Sequence, residues 1–487
     1  MSADNIVAAL ALIGIVILVA SLLSGLVERT GVPQVAIFLL LGALLGPAGL
    51  NLVHLTLQSP TLQWIAILAL VLVLFTDAIA MDLSEIRRPR RVLLVVLGPA
   101  TLLPAILIAV AAHFLLRLDP LPSAILGAAL ASTDPVMLRN LFRRSSLSGG
   151  VRAALRLEAG INDVILLPIV VLSMLLSTAV PAGNFALTMS RHAVGLFVLG
   201  PLLGALIGYV AITVLEQVRK RVGVRRDYES LYALGCAFTA YAAAEAVGGS
   251  GFLAAFAAGV VIASLDVELC DCFLDYGQAT AEMFLLFTFV AFGAWLIWSG
   301  FTVADGRTLL FALLALVART VVLYPVLARE GIDRRTRTIV ALAGPRGLSS
   351  LLLILLPVFA GLPGSERLFA ITSLVVLLSV ALHGTGIALF LRNEGPTSAP
   401  VRVTGAPVVT REPDPDAKIP EKITLEEFKQ LRDAGRPYVL ADVRTERSYR
   451  ADNLKAEGAI RLPPDDAVRQ ARELGLAHHA TVVLYCA

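Results

Sequence analysis

Glu158, Asn162 and Asp163 stand close together in an otherwise apolar stretch, Leu157-Glu158-Ala159-Gly160-Ile161-Asn162-Asp163-Val164. Glu158 and Asn162 are four apart, so they share one face of a helix, with Asp163 beside them. Asp163 lies eleven residues beyond Arg152. That is about 16 Å of helix, close to the middle of an apolar layer about 30 Å thick. Asp134 lies twelve residues past Pro122 in Ala131-Ser132-Thr133-Asp134-Pro135-Val136, at a comparable depth from the opposite side. In lipid each such charge costs at least about 2.5 kcal/mol at a helix centre unless it is paired or hydrated. Acids kept there hold protons or hard cations, or they pair with buried arginines. Two arginines offer themselves: Arg319 in Ala318-Arg319-Thr320, and Arg346 in Ala343-Gly344-Pro345-Arg346-Gly347. Glu158 and Arg319 satisfy each other as a structural ion pair. Arg346 either offsets the helix ends facing it or neutralises Asp134. Asp163 is left as the functional acid, with a purely structural ion-pair network as the competing reading.

These depths hold only if the surrounding segments cross a bilayer, and composition requires that they do. The 487 residues are 57% hydrophobic and 16% charged, with a mean hydropathy of +0.81. A soluble domain carries about 25% charged residues. The apolar excess falls in blocks, each near the roughly 20 residues that a span needs. The first, Ile6 to Leu23, has no Lys or Arg before it and reads as a permanent helix rather than a leader. Breaks at Pro, Gly and charged clusters predict thirteen spans over residues 1–392. They lie near 5–26, 32–47, 61–80, 92–116, 122–141, 150–178, 193–216, 229–247, 251–268, 277–299, 307–328, 336–360 and 366–391. Alternate connections carry eighteen Lys and Arg against four, which predicts an outside N-terminus and a cytoplasmic C-terminus. A net charge of +3 gives no case for nucleic acid as a partner. Cys236, Cys270, Cys272 and Cys486 are too few and scattered for a disulfide framework, and Cys270-Asp271-Cys272 reads as two ordinary thiols.

The fifth and twelfth spans carry helix breakers at their centres, Asp134-Pro135 and Gly344-Pro345. A proline frees a carbonyl that lipid cannot satisfy, so such breaks survive where the backbone lines a polar cavity. These two spans run in opposite directions. Interrupted helices at matching places of two inverted halves are the plan of a secondary transporter with a midplane site. The predicted fold is thus an all-α polytopic membrane protein of inverted repeats with two crossed, discontinuous helices.

Taken together, residues 5–392 resemble the sodium/proton exchanger branch of the monovalent cation–proton antiporters, the NhaP-like bacterial exchangers. The resemblance rests on Phe75-Thr76-Asp77-Ala78 before Asp82-Leu83, Ser132-Thr133-Asp134-Pro135-Val136, Glu158 with Asn162-Asp163, Ser250-Gly251-Phe252-Leu253-Ala254, Arg319 and Gly344-Pro345-Arg346-Gly347. It implies a homodimer in a bacterial inner membrane, with a dimerisation domain and a mobile core in each protomer. It also implies Asp163 as the proton and cation carrier, with Asp134, Thr133, Asn162 and Glu158 as further cation ligands. The family usually has a serine after the glutamate; Ala159 stands there in this chain. Na⁺, Li⁺ and K⁺ remain open as the cargo exchanged for H⁺, and no cofactor is expected. Competition of proton and cation for one carboxylate suffices to couple the two fluxes. Asn162 occupies the place of a second acid in electrogenic relatives, so exchange of one charge for one is expected. A channel or membrane sensor on the same scaffold, with the tail as output module, is the alternative.

Residues 395–420 form a Pro-, Thr- and Ala-rich linker after the membrane domain of residues 1–394. Residues 421–487 alternate helix and apolar strand: Thr424 to Phe428, Tyr438 to Arg444, Gly458 to Pro463 and Thr481 to Cys486. Their order resembles part of a rhodanese domain, in which Cys486 matches the catalytic cysteine. The anion-cradling loop expected after that cysteine does not follow within this sequence, so sulfurtransferase activity is not expected. The chain reads as a transporter and not as an enzyme.

Overall fold

The computed structural model describes residues 14–15, 17–19, 22, 34–81, 99–134, 149–177, 185–222, 224, 226–265, 267–329, 334–342 and 344–393. In the C-terminal part it describes 428, 432, 438–444, 449, 455–456, 458–463, 467–476 and 481–485. Most of the first predicted span, residues 82–83, Pro135-Val136 and the side chains of Ala159, Cys270 and Cys272 lie outside the described set. So do the linker and Cys486. The chain forms two compact units, Met1–Glu394 and Gly395–Ala487.

Helices of the first unit follow the apolar blocks. They are α1 (Gln34–Leu45), α2 (Pro60–Ala80), α3 (Pro99–Leu116), α4 (Pro120–Ala131), α5 (Gly149–Ser177), α6 (Phe185–Val194) and α7 (Gly200–Arg221). Then come α8 (Arg226–Ala246), α9 (Gly251–Leu265), α10 (Val267–Ala294), α11 (Gly306–Arg329), α12 (Arg334–Leu342), α13 (Leu348–Phe359) and α14 (Ser365–Asn393). Ser59-Pro60 and Asp119-Pro120 open α2 and α4, where proline's fixed φ suits the first helical turn. Among the described residues, five helices are long and apolar enough to cross a membrane. A sixth span arises if Met283–Ala294 and the 3₁₀ turn Leu296–Val303, bent by 48°, count as one.

Two predicted spans extend differently from their sequence limits. The seventh, expected at 193–216, runs from α6 through a π-helical stretch at Gly195–Leu199 into α7. The tenth, expected at 277–299, begins at Val267 and bends at Trp295. Hydropathy misses these ends because the flanking turns carry polar residues that still complete helical hydrogen bonds. In α7, Gly200, Gly204 and Gly208 bring the helix against α9. A Cβ on Gly204 would lie 2.0 Å from the carbonyl oxygen of Ala254. Lipid offers no hydrophobic drive to pair helices, so small residues allowing such backbone approach supply the contact.

Around the polar centre, α4 packs on α5, and α13 packs on both and on α14. The breaks lie here: α4 ends at Ala131, and residues 132–134 run on outside helical structure. Likewise α12 ends at Leu342 and α13 begins only at Leu348.

The second unit contains β1 (Val439–Asp442), β2 (Ile460–Arg461), α15 (Ala467–Glu473) and β3 (Val482–Tyr485). Its sheet has the order β2-β1-β3 with both pairings parallel, Ala441 opposite Ile460 and Val439 opposite Val482. Asp442 closes β1 and accepts hydrogen bonds from Arg444 (Nη2 to Oδ2, 2.8 Å) and Tyr485 (3.1 Å). Burial pushes the Asp442 carboxyl up, but these donors outweigh it and hold it below the usual carboxylate range. The parallel order and the buried Asp442–Arg444 pair define a small α/β unit.

Candidate functional site

The two breaks meet, and each serves the other's helix end. The main-chain N–H of Asp134 donates to the carbonyl of Pro345 at 3.0 Å. The Asp134 carboxylate accepts the N–H of Leu348, the first residue of α13, also at 3.0 Å. In return, Arg346 Nη1 donates to the carbonyls of Ala131 (2.6 Å) and Ser132 (3.0 Å) at the C-terminal end of α4. A helix leaves N–H groups unpaired at its start and carbonyls at its end, with partial charges to match. An anion therefore sits at the positive end of α13 and a cation at the negative end of α4. Arg346 thus lies with its Nη1 on two carbonyls at the end of α4.

This crossing tolerates no side chain at residue 347. A Cβ added to Gly347 would stand 1.9 Å from Asp134 Oδ2 and 2.7 Å from its Cγ. Gly347→Ala should therefore push Asp134 off the α13 N-terminus and cost about 1–3 kcal/mol, the usual range for overpacking. The check is a thermal melt in detergent together with flux in vesicles. A variant matching the parent in both would show that the crossing relaxes freely.

Asp163, on α5, is 2% exposed. Its Oδ1 accepts the hydroxyl proton of Ser132 from the first break. Ser349, in the first turn of α13, stands near the Asp163 carboxyl. Asn162 Nδ2 donates to the carbonyl of Ala131 (3.3 Å) and to Thr133 Oγ1 (3.2 Å). That leaves Asn162 Oδ1 a buried acceptor without a hydrogen-bond partner among the described residues. A buried polar atom left in this state costs free energy and calls for a function. Two carboxylates, an amide oxygen and hydroxyl oxygens in one buried place are the hard oxygen donors that bind small hard cations.

Glu158 lies one helical turn before Asn162 and is engaged elsewhere. Arg319 of α11 grips it through two bonds, Nε to Oε1 at 3.0 Å and Nη2 to Oε2 at 2.8 Å. The side chains are 3% and 4% exposed. The remaining nitrogen, Nη1, donates to the carbonyl of Val340 at 2.7 Å, near the end of α12.

Of the residues singled out from sequence, Asp163, Asp134, Thr133 and Asn162 come together with Arg346, while Glu158 faces Arg319. Cys486 lies outside the described residues. Sequence reasoning passed over Ser132, Ser349 and Gly347 as individuals. Their signal was position: Ser132 stands in one break, and Gly347 and Ser349 flank the start of the other's second half.

A polytopic helical bundle whose crossed, interrupted helices converge on buried acids is a secondary-transporter architecture. The chain belongs to the sodium/hydrogen exchanger family: the family model described as "Sodium/hydrogen exchanger, transmembrane" matches residues 14–393. It is 25% identical over 387 residues to the K⁺/H⁺ antiporter NhaP of Alkalimonas amylolytica, covering 77% of this chain and 65% of that protein. It is 26% identical over 409 residues to the K⁺/H⁺ antiporter NhaP2 of Shewanella sp. strain MR-4, covering 80% and 68%. The chain thus spans about two thirds of the length of the curated relatives it matches. The fold is that of the sodium proton antiporter MjNhaP1 of Methanocaldococcus jannaschii, with a TM-score of 0.62 at 19% identity over 77% of this chain and 98% of that one.

Proposed function

We propose that this protein is a secondary antiporter that exchanges protons for small monovalent cations, Na⁺ or K⁺ with Li⁺ as a further candidate, by alternating occupancy of Asp163. The observation that carries this reading is the Asp163 carboxyl at the crossing of two broken helices, next in sequence to Asn162, whose buried Oδ1 has no hydrogen-bond partner among the described residues. Proton and cation each neutralise that carboxylate, and its bare form is disfavoured away from water. Each therefore displaces the other. Thr133 and Asn162 are the proposed neutral ligands. Asp134, already bound to the N-terminus of α13, couples the site to the helix crossing. Glu158 with Arg319 is a structural pair rather than part of the carrier. The names of the relatives, antiporters of K⁺ and H⁺, support the substrate class.

The same reading carries the further parts of the architecture: thirteen spans over residues 1–394, an outside N-terminus and a cytoplasmic C-terminus. It also carries a homodimer in a bacterial inner membrane, a linker over 395–420 and a partial rhodanese-like unit over 421–487. The parallel β2-β1-β3 order and the buried Asp442–Arg444 pair support the last of these.

With one titrating carboxylate, exchange should be electroneutral. Reconstituted in vesicles, the protein should show proton efflux driven by a Na⁺ or K⁺ gradient. Its rate should stay unchanged when a membrane potential is imposed at constant pH gradient. Cation flux without coupled protons would mark a channel, and a steep voltage dependence would bring a second titrating group into the cycle.

A further inference from the structure

Ser132 is the first residue past the end of α4, and it is wholly buried. Its backbone has left the helical region, at φ −60° and ψ 135°, so its side chain no longer follows the register of α4. Its carbonyl belongs to the helix end and is held from the other break, by Arg346 Nη1 at 3.0 Å and the Ser350 hydroxyl at 3.4 Å. The residues on either side are held as well, because Asn162 Nδ2 donates to the Ala131 carbonyl and to Thr133 Oγ1. Contacts from α5, from the second break and from α13 thus fix one short segment. The group they aim is the Ser132 hydroxyl, which donates to Asp163 Oδ1. A hydroxyl oxygen carries one proton and two lone pairs on a single rotatable bond. Against a bare carboxylate it donates. Against a carboxylate that holds a cation it turns a lone pair to the ion, as hard oxygen ligands do.

We propose that Ser132 is a further cation ligand and a determinant of cation preference, its hydroxyl oxygen sharing the ion with the Asp163 carboxylate. This rests on the reading of Asp163 as the carrier. Ser132 is the hydroxyl that bonds the carboxylate itself, whereas the oxygen of its neighbour Thr133 already accepts from Asn162. Because the segment is braced from three directions, the Ser132 oxygen keeps its place relative to Asp163 before an ion arrives. Selectivity between cations depends on cavity size, ligand number and rigidity, and a braced pair of oxygens supplies the last of these. The competing role is that of a donor that only steadies the carboxylate. The two roles leave different marks. Losing a donor changes how tightly Asp163 holds its proton, which is common to all competing cations, so each is weakened by the same factor. Losing a ligand oxygen weakens Li⁺, Na⁺ and K⁺ by different factors, because they differ in radius and in the coordination they need.

The test compares the parent with Ser132→Ala, which lacks the hydroxyl, and with Ser132→Cys, which keeps a side chain of similar shape but offers a soft sulfur to a hard ion. The apparent KM for each cation that drives proton flux in vesicles is measured at one fixed alkaline pH. Thermal melts of the purified full-length proteins, titrated with Li⁺, Na⁺ and K⁺, give a second readout that needs no transport. In Ser132→Ala the KM and the half-saturating concentration for the preferred cation should rise about tenfold, the loss of one good contact. The ratios among the three cations should change with it, and Ser132→Cys should follow Ser132→Ala although the cavity stays filled. Parental values in either variant, or a rise by one common factor for all three cations, would overturn the proposal. So would a parent whose melting temperature no cation raises. If the parent moves cations without protons, the antiporter reading fails alone and the melts still decide the role of Ser132.

Discussion

Asp163→Asn should abolish coupled exchange while leaving a folded, membrane-inserted protein. Asparagine matches the shape of aspartate and can accept the Ser132 hydroxyl through its amide oxygen, so the crossing of the broken helices should persist. It carries no charge for a cation to neutralise and takes up no proton in the working range. The two fluxes compete for this carboxylate under the proposed mechanism, so both disappear together rather than one being spared. Flux in vesicles driven by an imposed Na⁺ or K⁺ gradient should fall to the level of empty liposomes, while the melting temperature stays near that of the parent. Exchange near the parental rate would remove Asp163 as carrier and leave Asp134, just past the end of α4, as the acid to examine next.

The Glu158–Arg319 pair should show the opposite behaviour, with a large effect on stability. Both side chains are almost wholly buried, and the guanidinium meets the carboxylate through two bonds. Removing one partner from such a pair strands a charge in a low-dielectric interior and costs about 3–5 kcal/mol. Glu158→Gln and Arg319→Gln should each lower thermal stability strongly. The double replacement should recover much of the loss, because neither charge then remains. Arg319→Gln should remain the worse single change, since Arg319 also holds the Val340 carbonyl near the second break. Strictly additive losses in a double-mutant cycle would show that the two residues act independently.

Much of this centre can be read from residue order. Helix breakers are local: Pro135 and Pro345 lack the amide hydrogen that a continuous helix needs, whatever surrounds them. The pairing of Glu158 with Arg319, 161 residues apart in the chain, is legible for a different reason. Buried charges in an apolar medium are few, and each demands a partner. The role of Asp134 is less legible. Sequence marks it as a cation ligand, but the crossing commits its carboxylate to the Leu348 amide, a group that only becomes available because α13 starts there. Ser132 and Thr133 are adjacent hydroxyls, and nothing in their order says that Ser132 turns to Asp163 while Thr133 meets Asn162. That choice follows from how residues 132–134 leave the helix.

From the order of its residues alone, this chain is an apolar helical protein with interrupted segments and a small set of costly acids and arginines near mid-membrane depth. Those properties depend on transfer free energy and on backbone chemistry, which act residue by residue. Which ends face each other was decided by tertiary structure. The small residues of α7 let it approach α9 closely, and Gly347 admits Asp134 to the start of α13. Lateral distance and helix rotation are set by such contacts between distant segments. The same contacts seat Arg346 on the end of α4, Ser132 on Asp163, and Ser379 between Arg346 and His383.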